Sequence, residues 1–283
     1  MQEVSKTWEL SNGVEIPTIG FGTWLSKKGE ECEKAVADAI ACGYRHIDGA
    51  AGYFNEESVG AGIKASGIDR KELFLTSKLH NPVRGYEETI QAFEKTIHDL
   101  QTEYLDLYLI HWPRPKAYHD NYIEKNKETW KAFEDLYKQG KIKAIGVSNF
   151  LPHHLEELAE DAEILPMVNQ IEYHPSHLQE TIISYCRQHG ILVEGYSPLA
   201  RGRIFEVEKM HEIAEKYGKN VAQVTLRWSM QNGVIPLPKS VTAERIESNY
   251  QVYDFTLSEE DMEFINQITE CASSDRDPDN IEF

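Results

Sequence analysis

The stretch LDLYLIHW at residues 105–112 decides the fold, because its side chains are almost all apolar and follow one another without a break. A continuous run of this kind is typical of a strand that is buried on both faces, as in a parallel sheet covered by helices. Further along the chain, residues 127–139 place apolar side chains at helical spacing, and Gly140 is positioned to end the helix. Together the two segments predict one β-then-α unit.

The same unit recurs along the chain. Residues 30–42 form a second amphipathic pattern, which stops at Gly43. Apolar runs alternate with such patterns at 19–23, 46–50, 73–79, 105–112, 144–149, 167–174, 191–199 and 234–240. No linker or low-complexity tract divides the chain, so we expect a single domain over residues 1–283. Eight units predict an α/β fold, a (β/α)8 TIM barrel, although a doubly wound open sheet would show the same alternation.

A short segment precedes the first of these runs. In WELSNGVEIP, residues 8–17, the Asn12-Gly13 pair stands between two short apolar segments, which is the signal of a β-hairpin with a type I′ turn. We expect this hairpin to close the bottom of the barrel as a plug.

Composition disfavours several classes of partner. The chain has 29 Lys and Arg against 47 Asp and Glu, a formal charge of −18, and such a surface repels nucleic-acid phosphates. No window approaches the roughly 18 consecutive apolar residues of a membrane-spanning helix, and the opening MQEVSKTWEL lacks the profile of a signal peptide. The cysteines lack CxxC spacing and read as buried thiols of a reducing compartment: Cys32, Cys42, Cys186 and Cys271. We therefore expect a cytoplasmic protein, and a monomer because no extended apolar surface is evident.

Polar residues follow the apolar runs where the strands of a barrel end, at the rim that carries the working residues of TIM barrels. Four of them carry titratable protons: Asp48, Tyr53, Lys78 and His111. Each alone has an ordinary structural explanation, as a turn former, a solvated side chain or a structural histidine. Because consecutive units bring all four to one rim, together they favour a catalytic site.

This set of groups suits the reduction of a carbonyl. Hydride arriving at the carbonyl carbon builds negative charge on the oxygen, which needs a proton donor. Tyrosine, with an unperturbed pKa of about 10, is a weak acid at neutral pH unless a neighbouring ammonium stabilises its phenolate. Lys78 can supply that charge, Asp48 can keep Lys78 charged and oriented, and His111 can hydrogen-bond the substrate oxygen.

The motifs around these residues resemble those of the aldo-keto reductase family over essentially the whole chain. They are GYRHIDGA followed by Tyr53, LTSKL with Lys78, LDLYLIHWP with His111, IGVSNF, VNQIEYHP, GYSPLA and PKSVTAERIESN. Small bacterial reductases of the family, of the diketogluconate and glyoxal or methylglyoxal type, look most similar. The resemblance implies reduction of a small-molecule aldehyde or ketone, with Tyr53 as the general acid.

The resemblance also implies NADPH, bound extended and without a Rossmann domain. The residues that it implies for the cofactor are Ser148, Asn149, Gln170, Tyr196, Ser197, Leu199, Lys239, Ser240, Arg245 and Asn249. Elementary electrostatics supports part of this set independently. Lys239 and Ser240 lead into a helix start at Thr242, and a helix N-terminus beside basic and hydroxyl side chains is a ready anion site.

The predicted substrate pocket has four walls, Trp24, His80, Trp112 and Phe150. The loop at 113–126 is expected to act as a lid that selects the substrate. Three positions depart from the family's pattern: Gly49 stands where Thr is usual, Ser248 where Glu is frequent, and His80 where Trp is common. Because His80 is smaller and titratable, it favours polar or acidic carbonyls.

Other interpretations compete with this one. Gly60 and Gly62 fit the spacing of a dinucleotide fingerprint, but they follow a helix start and not a strand. A metal-dependent hydrolase is disfavoured because HxH on an early strand and HExxH are absent, and His174 and His177 have no evident carboxylate partner. We therefore expect no metal. A regulatory protein that keeps the fold and the cofactor stays open, although the complete set of catalytic side chains favours turnover.

Overall fold

The computed structural model describes residues 4–283. Residues 1–3 lie outside the described residues. They begin the segment MQEVSKTWEL, which is predicted not to be a signal peptide. The strands are β1 (Thr7–Glu9), β2 (Glu15–Pro17), β3 (Phe21–Gly22), β4 (His46–Asp48), β5 (Phe74–Leu79), β6 (Leu105–Ile110), β7 (Ile142–Ser148), β8 (Val168–Glu172), β9 (Leu192–Tyr196) and β10 (Val234–Leu237). The helices are α1 (Glu30–Cys42), α2 (Glu56–Ser66), α3 (Tyr86–Asp99), α4 (Tyr122–Lys138), α5 (Pro152–Ala159), α6 (Glu180–Gln188), α7 (Glu208–Lys216), α8 (Val221–Gln231), α9 (Ala243–Tyr250) and α10 (Glu259–Asn266).

Strands β3 to β10 form one sheet in chain order, with every neighbouring pair parallel. The sheet closes because the backbone N–H groups of Gly20 and Gly22 donate to the carbonyls of Pro236 and Pro238, at 3.1 and 3.0 Å. Glycine is needed at this seam, since a Cβ on Gly20 would lie 2.5 Å from Leu237 Cδ2. The (β/α)8 barrel is therefore confirmed, and the open doubly wound sheet is excluded.

The helix predictions differ in accuracy. Helix α1 covers the predicted residues 30–42 and ends at Gly43, which has a φ of 114°. Helix α4 ends as predicted, before Gly140, but begins at Tyr122 and not at residue 127. Asn126 accounts for the difference, because it is buried and its Nδ2 donates to the Pro113 carbonyl at 2.8 Å, which holds the added first turn against the preceding loop.

The N-terminal hairpin of β1 and β2 is confirmed, but the predicted turn type is wrong. A type I′ turn needs positive φ at both central residues, and in this turn Gly13 has positive φ (84°) whereas Asn12 does not. Leu10 N donates to Val14 O at 2.9 Å, so the loop has three residues. Asn12 instead donates from Nδ2 to the Lys143 carbonyl at 2.9 Å, which attaches the hairpin to the amino-terminal end of β7, at the bottom of the barrel.

The remaining structural expectations concern glycines, membranes and cysteines. Gly60 and Gly62 lie inside α2, where a Cβ would come within 2.5 Å of Leu100 O and 2.6 Å of Glu33 O, so they serve helix packing. Among residues 4–283, no helix has both the length and the apolarity needed to cross a membrane. The cysteines are free thiols, and all but the partly buried Cys42 are buried.

Candidate active site

A cleft of about 1280 Å³ opens at the carboxyl ends of the barrel strands. Nearly all of the predicted site residues line it: Trp24, Asp48, Tyr53, His80, His111, Trp112, Ser148, Asn149, Gln170, Tyr196, Ser197, Leu199, Lys239, Ser240, Arg245 and Asn249. The topology explains this agreement, because parallel strands of a barrel deliver their last residues to one rim.

Lys78 lies beneath the cleft and is fully buried. Its Nζ donates to both Asp48 carboxylate oxygens at 2.8 Å, to the Gly49 carbonyl at 2.9 Å and to the Tyr53 hydroxyl at 3.3 Å. Strands β4 and β5 pair, which places Asp48 beside Lys78, and the short helical turn after β4 brings Tyr53 back over both. The structure therefore brings Asp48, Lys78 and Tyr53 together as a hydrogen-bonded chain.

Asp48 and Lys78 shift the pKa values of their partners in the predicted directions, but burial opposes the effect of Lys78 on Tyr53. Burial lowers the pKa of Lys78, but Asp48 and Tyr53 together raise it by more than burial lowers it. The net pKa of Lys78 is therefore raised, and its side chain stays charged. Burial raises the pKa of Tyr53, and Lys78 lowers it by a smaller amount. The net pKa of Tyr53 is therefore raised in this structure, whereas the sequence predicts a lowering by Lys78.

His111 lies across the cleft from this chain, with its ring edge-on to Tyr53 at a centroid distance of 5.7 Å. Burial, followed by the charge of Lys78, holds the pKa of His111 well below its ordinary value, so the ring is neutral. Its Nδ1 is buried and has no hydrogen-bond partner among residues 4–283. A neutral imidazole at this position can orient a carbonyl without competing with Tyr53 as the acid.

The residues predicted for the nicotinamide end of a cofactor form one network. Ser148 Oγ donates to the Gln170 carbonyl at 2.8 Å, and Tyr196 donates from its hydroxyl to Asn149 Oδ1 at 2.8 Å. Asn149 Nδ2 donates to the carbonyl of His111 at 3.0 Å. These bonds fix the Tyr196 ring in the same cleft as Tyr53 and His111, where a planar group can stack on it.

The far end of the cleft is cationic. Helix α9 begins at Ala243, directly after Thr242 as predicted, and Lys239 and Arg245 are exposed beside it. Among the described residues, neither cation has a carboxylate within ion-pair distance. At the departure from the family's pattern, Ser248 Oγ accepts a hydrogen bond from Asn220 Nδ2 at 2.7 Å, so Ser248 is tied to the start of α8.

Phe150 is not a wall of the cleft, and that prediction is corrected. The residue is fully buried in the core, 5.8 Å from the ring of His154 on α5. Asn149 has a positive φ of 64°, which redirects the chain between the two residues, so Asn149 lines the cleft and Phe150 does not.

Sequence reasoning missed the contribution of the C-terminal segment. Phe283 lies 5.7 Å from the Trp112 ring, and Arg276 also lines the cleft. The loop at 113–126 contributes no residue to the lining of the cleft, and Lys116 N donates to the Phe283 carbonyl at 3.3 Å; its role as a lid stays a prediction. Residues 271–283 have no hydrophobic periodicity, and no signal in the sequence placed them here.

The histidines considered for a metal site are arranged differently from the expectation. His174 does have a carboxylate neighbour, since its Nε2 lies 3.6 Å from Glu172 Oε1. Glu172 is engaged elsewhere, because Ser274 donates to it from both its backbone N–H and its hydroxyl. The group of three potential metal ligands in residues 4–283 consists of His153, His154 and Asp279, away from the cleft.

Comparison with known proteins gives a consistent result. A model described as the aldo/keto reductase family matches residues 18–270. The chain is 50% identical to glyoxal reductase of Bacillus subtilis, over 98% of both chains. It is 39% identical to methylglyoxal reductase DkgA of Escherichia coli, over 96% of this chain and 97% of the relative. An aldo-keto reductase of Bombyx mori, solved in complex with NADP, superimposes with a TM-score of 0.84 at 35% identity, over 94% of this chain and 93% of that one. The chain therefore belongs to the aldo/keto reductase family.

Proposed function

We propose that this oxidoreductase reduces small aldehydes or ketones to alcohols, with Tyr53 as the general acid. The observation that supports this most is the buried chain from Asp48 through Lys78 to the Tyr53 hydroxyl. Proton transfer from Tyr53 leaves a phenolate 3.3 Å from an ammonium that Asp48 keeps charged. The proton thus moves to the developing alkoxide at a preorganised position.

We propose NADPH as the cofactor, which supplies the hydride when it is bound. The residues of the cleft fit it: Tyr196 offers a ring face, and Ser148, Asn149 and Gln170 offer polar groups around it. Lys239 and Arg245 stand at the other end without carboxylate partners among residues 4–283. In a chain of charge −18, two such cations favour the 2′-phosphate of NADPH over the hydroxyl of NADH. The remaining cofactor residues, Ser197, Leu199, Ser240 and Asn249, also line the cleft.

The substrate then lies between Tyr53 and His111, against Trp24, His80 and Trp112. His80 is partly buried, and burial lowers its pKa, so its ring is neutral at neutral pH. A neutral imidazole is a hydrogen-bonding wall and not a cationic one. This favours polar carbonyls such as dicarbonyls over purely apolar aldehydes.

The test is NADPH oxidation with a panel of carbonyls: methylglyoxal, a nitrobenzaldehyde and a keto-sugar acid. Replacing Tyr53→Phe removes the acid and is expected to lower kcat about 10²–10⁴-fold. Tyr86→Phe is the matched control, because Tyr86 donates to Asp135 on the outer helices. Turnover that survives in Tyr53→Phe would contradict the assigned acid. Tight NADPH binding without turnover of any carbonyl would instead favour the regulatory role.

A further inference from the structure

A second carboxyl group lies beneath the catalytic one. Glu194, on β9, is fully buried inside the barrel, and the mechanism above does not use it. The amide of Gln170 bridges the two acids: its Nε2 donates to Asp48 Oδ1 at 2.8 Å and to Glu194 Oε2 at 2.9 Å. Within the described part of the chain, Glu194 Oε1 has no hydrogen-bond partner.

The groups that face Glu194 supply too little positive charge for both acids. Among residues 4–283, Lys78 is the cation that acts on Glu194, and it is committed to Asp48 by two hydrogen bonds. His46, on β4, has its Nε2 3.5 Å from Glu194 Oε1, but burial, aided by Lys78, lowers its pKa to about 3, so the ring is neutral. The neighbour on β10, Ile235, is apolar.

Ionising both carboxyl groups costs much free energy, because they are bridged by one amide and lie in a protein interior without water. Asp48 holds the lysine, so the proton belongs on Glu194. The electrostatics agree: burial raises the pKa of Glu194 to about 8, with the charge of Asp48 as the second cause, while Gln170 and Lys78 lower it.

We propose that Glu194 is a positioning residue that stays protonated at neutral pH and holds the Gln170 amide in place under the catalytic site. As the acceptor of one Gln170 N–H, it turns the amide nitrogen toward the two acids and leaves Gln170 Oε1 for the carboxamide of the cofactor. Loss of its proton adds a second negative charge beside the Asp48–Lys78 pair. That charge disfavours the Tyr53 phenolate and weakens the acid. The inference rests on the proposed function for its effect on turnover.

The protonation state is tested without turnover. In protein labelled with ¹³C at the glutamate carboxyl carbons, the Glu194 resonance, assigned by its loss in Glu194→Gln, is expected to titrate near pH 8. Burial also raises the pKa of Glu56 to about 7, so two glutamate resonances are expected to titrate near or above neutral pH. Glu56→Gln removes one of them and so assigns the other to Glu194, even where Glu194→Gln fails to fold. A midpoint at the ordinary glutamate value, about 4.3, overturns the proposal.

The positioning role is tested by the pH profile of kcat/KM for carbonyl reduction. Between about pH 7 and about pH 9 the wild-type value of kcat/KM is expected to fall about three- to tenfold. Ionisation of Glu194 should raise the pKa of Tyr53 by about one unit, and part of that change lowers the rate of proton transfer. Glu194→Gln carries a permanently neutral side chain and is expected to lose this step, whereas the exposed Glu270→Gln keeps it. A step that persists unchanged in Glu194→Gln overturns the role. Absence of turnover in all variants sinks the proposed function, while the titration still decides the protonation of Glu194.

Discussion

Arg276 shows how a single residue can select a substrate at this site. It lines the cleft from the C-terminal segment, its guanidinium lies 5.2 Å from the Phe283 ring centroid, and no carboxylate pairs with it among residues 4–283. Burial dominates the pKa values of Tyr53 and His111, and the charge of Arg276 is a weaker influence that lowers both. We infer that this unpaired cation, beside the proposed catalytic groups, binds the charged group of an anionic substrate.

We therefore expect Arg276→Gln to distinguish substrates by charge. For a carbonyl that carries a carboxylate, such as carboxybenzaldehyde, kcat/KM should fall about tenfold, the value of one charge-assisted hydrogen bond. For nitrobenzaldehyde, which is neutral and similar in size, it should change less than about twofold by the same reasoning. Lys64→Gln, on the outer face of α2, controls for the change in net charge. Equal losses with both aldehydes would mean that Arg276 acts on Tyr53 and not on the substrate.

The sequence could place a site residue where the topology fixes its position. Asp48, Lys78 and His111 follow apolar runs, and a barrel brings every strand end to one rim. Phe150 was placed wrongly because the sign of φ at Asn149 is set by tertiary contacts. Arg276 was missed because its segment has no periodicity and acquires its place through contacts far along the chain.

At the scale of elements, helix α5 anchors the C-terminal segment. His153 Nε2 and His154 Nε2 each lie 3.0 Å from Asp279 Oδ1. This trio resembles a metal site, but Leu151 N donates to His154 Nδ1 at 3.1 Å, so in the neutral ring Nε2 carries the hydrogen and is not free to bind a cation. Arg114 adds a bond to the Asp279 carbonyl at 3.0 Å.

Asp279→Ala is expected to release the last residues from α5 and so to loosen Phe283 against Trp112. The KM for carbonyl substrates should rise about three- to tenfold, the effect of losing one or two hydrogen bonds to charged groups, while NADPH affinity stays unchanged. Hydrogen exchange of the terminal peptide should accelerate in parallel. Glu282→Ala is the control, because its exposed ion pair with Lys116 contributes little. Equal behaviour of the two variants would rule out the anchor.

Prediction of elements succeeded where the apolar pattern alone sets the boundary, as at α1 and Gly43. It failed where a polar side chain does so. Asn126 extends α4 through a contact with the Pro113 carbonyl, and Asn12 binds the Lys143 carbonyl in place of adopting positive φ. Both contacts join residues from different segments of the chain, so the apolar periodicity of a single segment cannot predict them.

At the scale of the whole molecule, the barrel was predictable because eight repeats of one unit leave few topologies, and the seam glycines complete it. The interior of the barrel was less predictable. The barrel contains a polar layer formed by Glu194, His46 and Gln170. In the sequence these are isolated polar residues within apolar strands, and the closed sheet brings their side chains together. The buried acids make the stability of the fold depend on pH.

Two acids should influence that stability with opposite signs. Folding raises the pKa of Glu194 to about 8, so the unfolded chain releases a proton that the folded state keeps, and stability falls as pH rises from about 4.3 toward 8. Burial raises the pKa of Glu172, but the neighbouring His174 ring and the hydrogen bonds from Ser274 bring it down to about 2. Its contribution is therefore present above about pH 4.3 and lost as pH falls toward 2.

Thermal unfolding across this range tests both signs at once. The Tm of Glu194→Gln relative to wild type should rise steadily between about pH 4 and about pH 8 and then level off, because the variant has no proton to hold. Glu172→Gln should be less stable than wild type at neutral pH, and the difference should shrink on acidification. Glu270→Gln, at an exposed position, should follow wild type throughout. A Tm difference for Glu194→Gln that is independent of pH would show that Glu194 titrates alike in the folded and unfolded chain, and the buried proton would have to be assigned to another group.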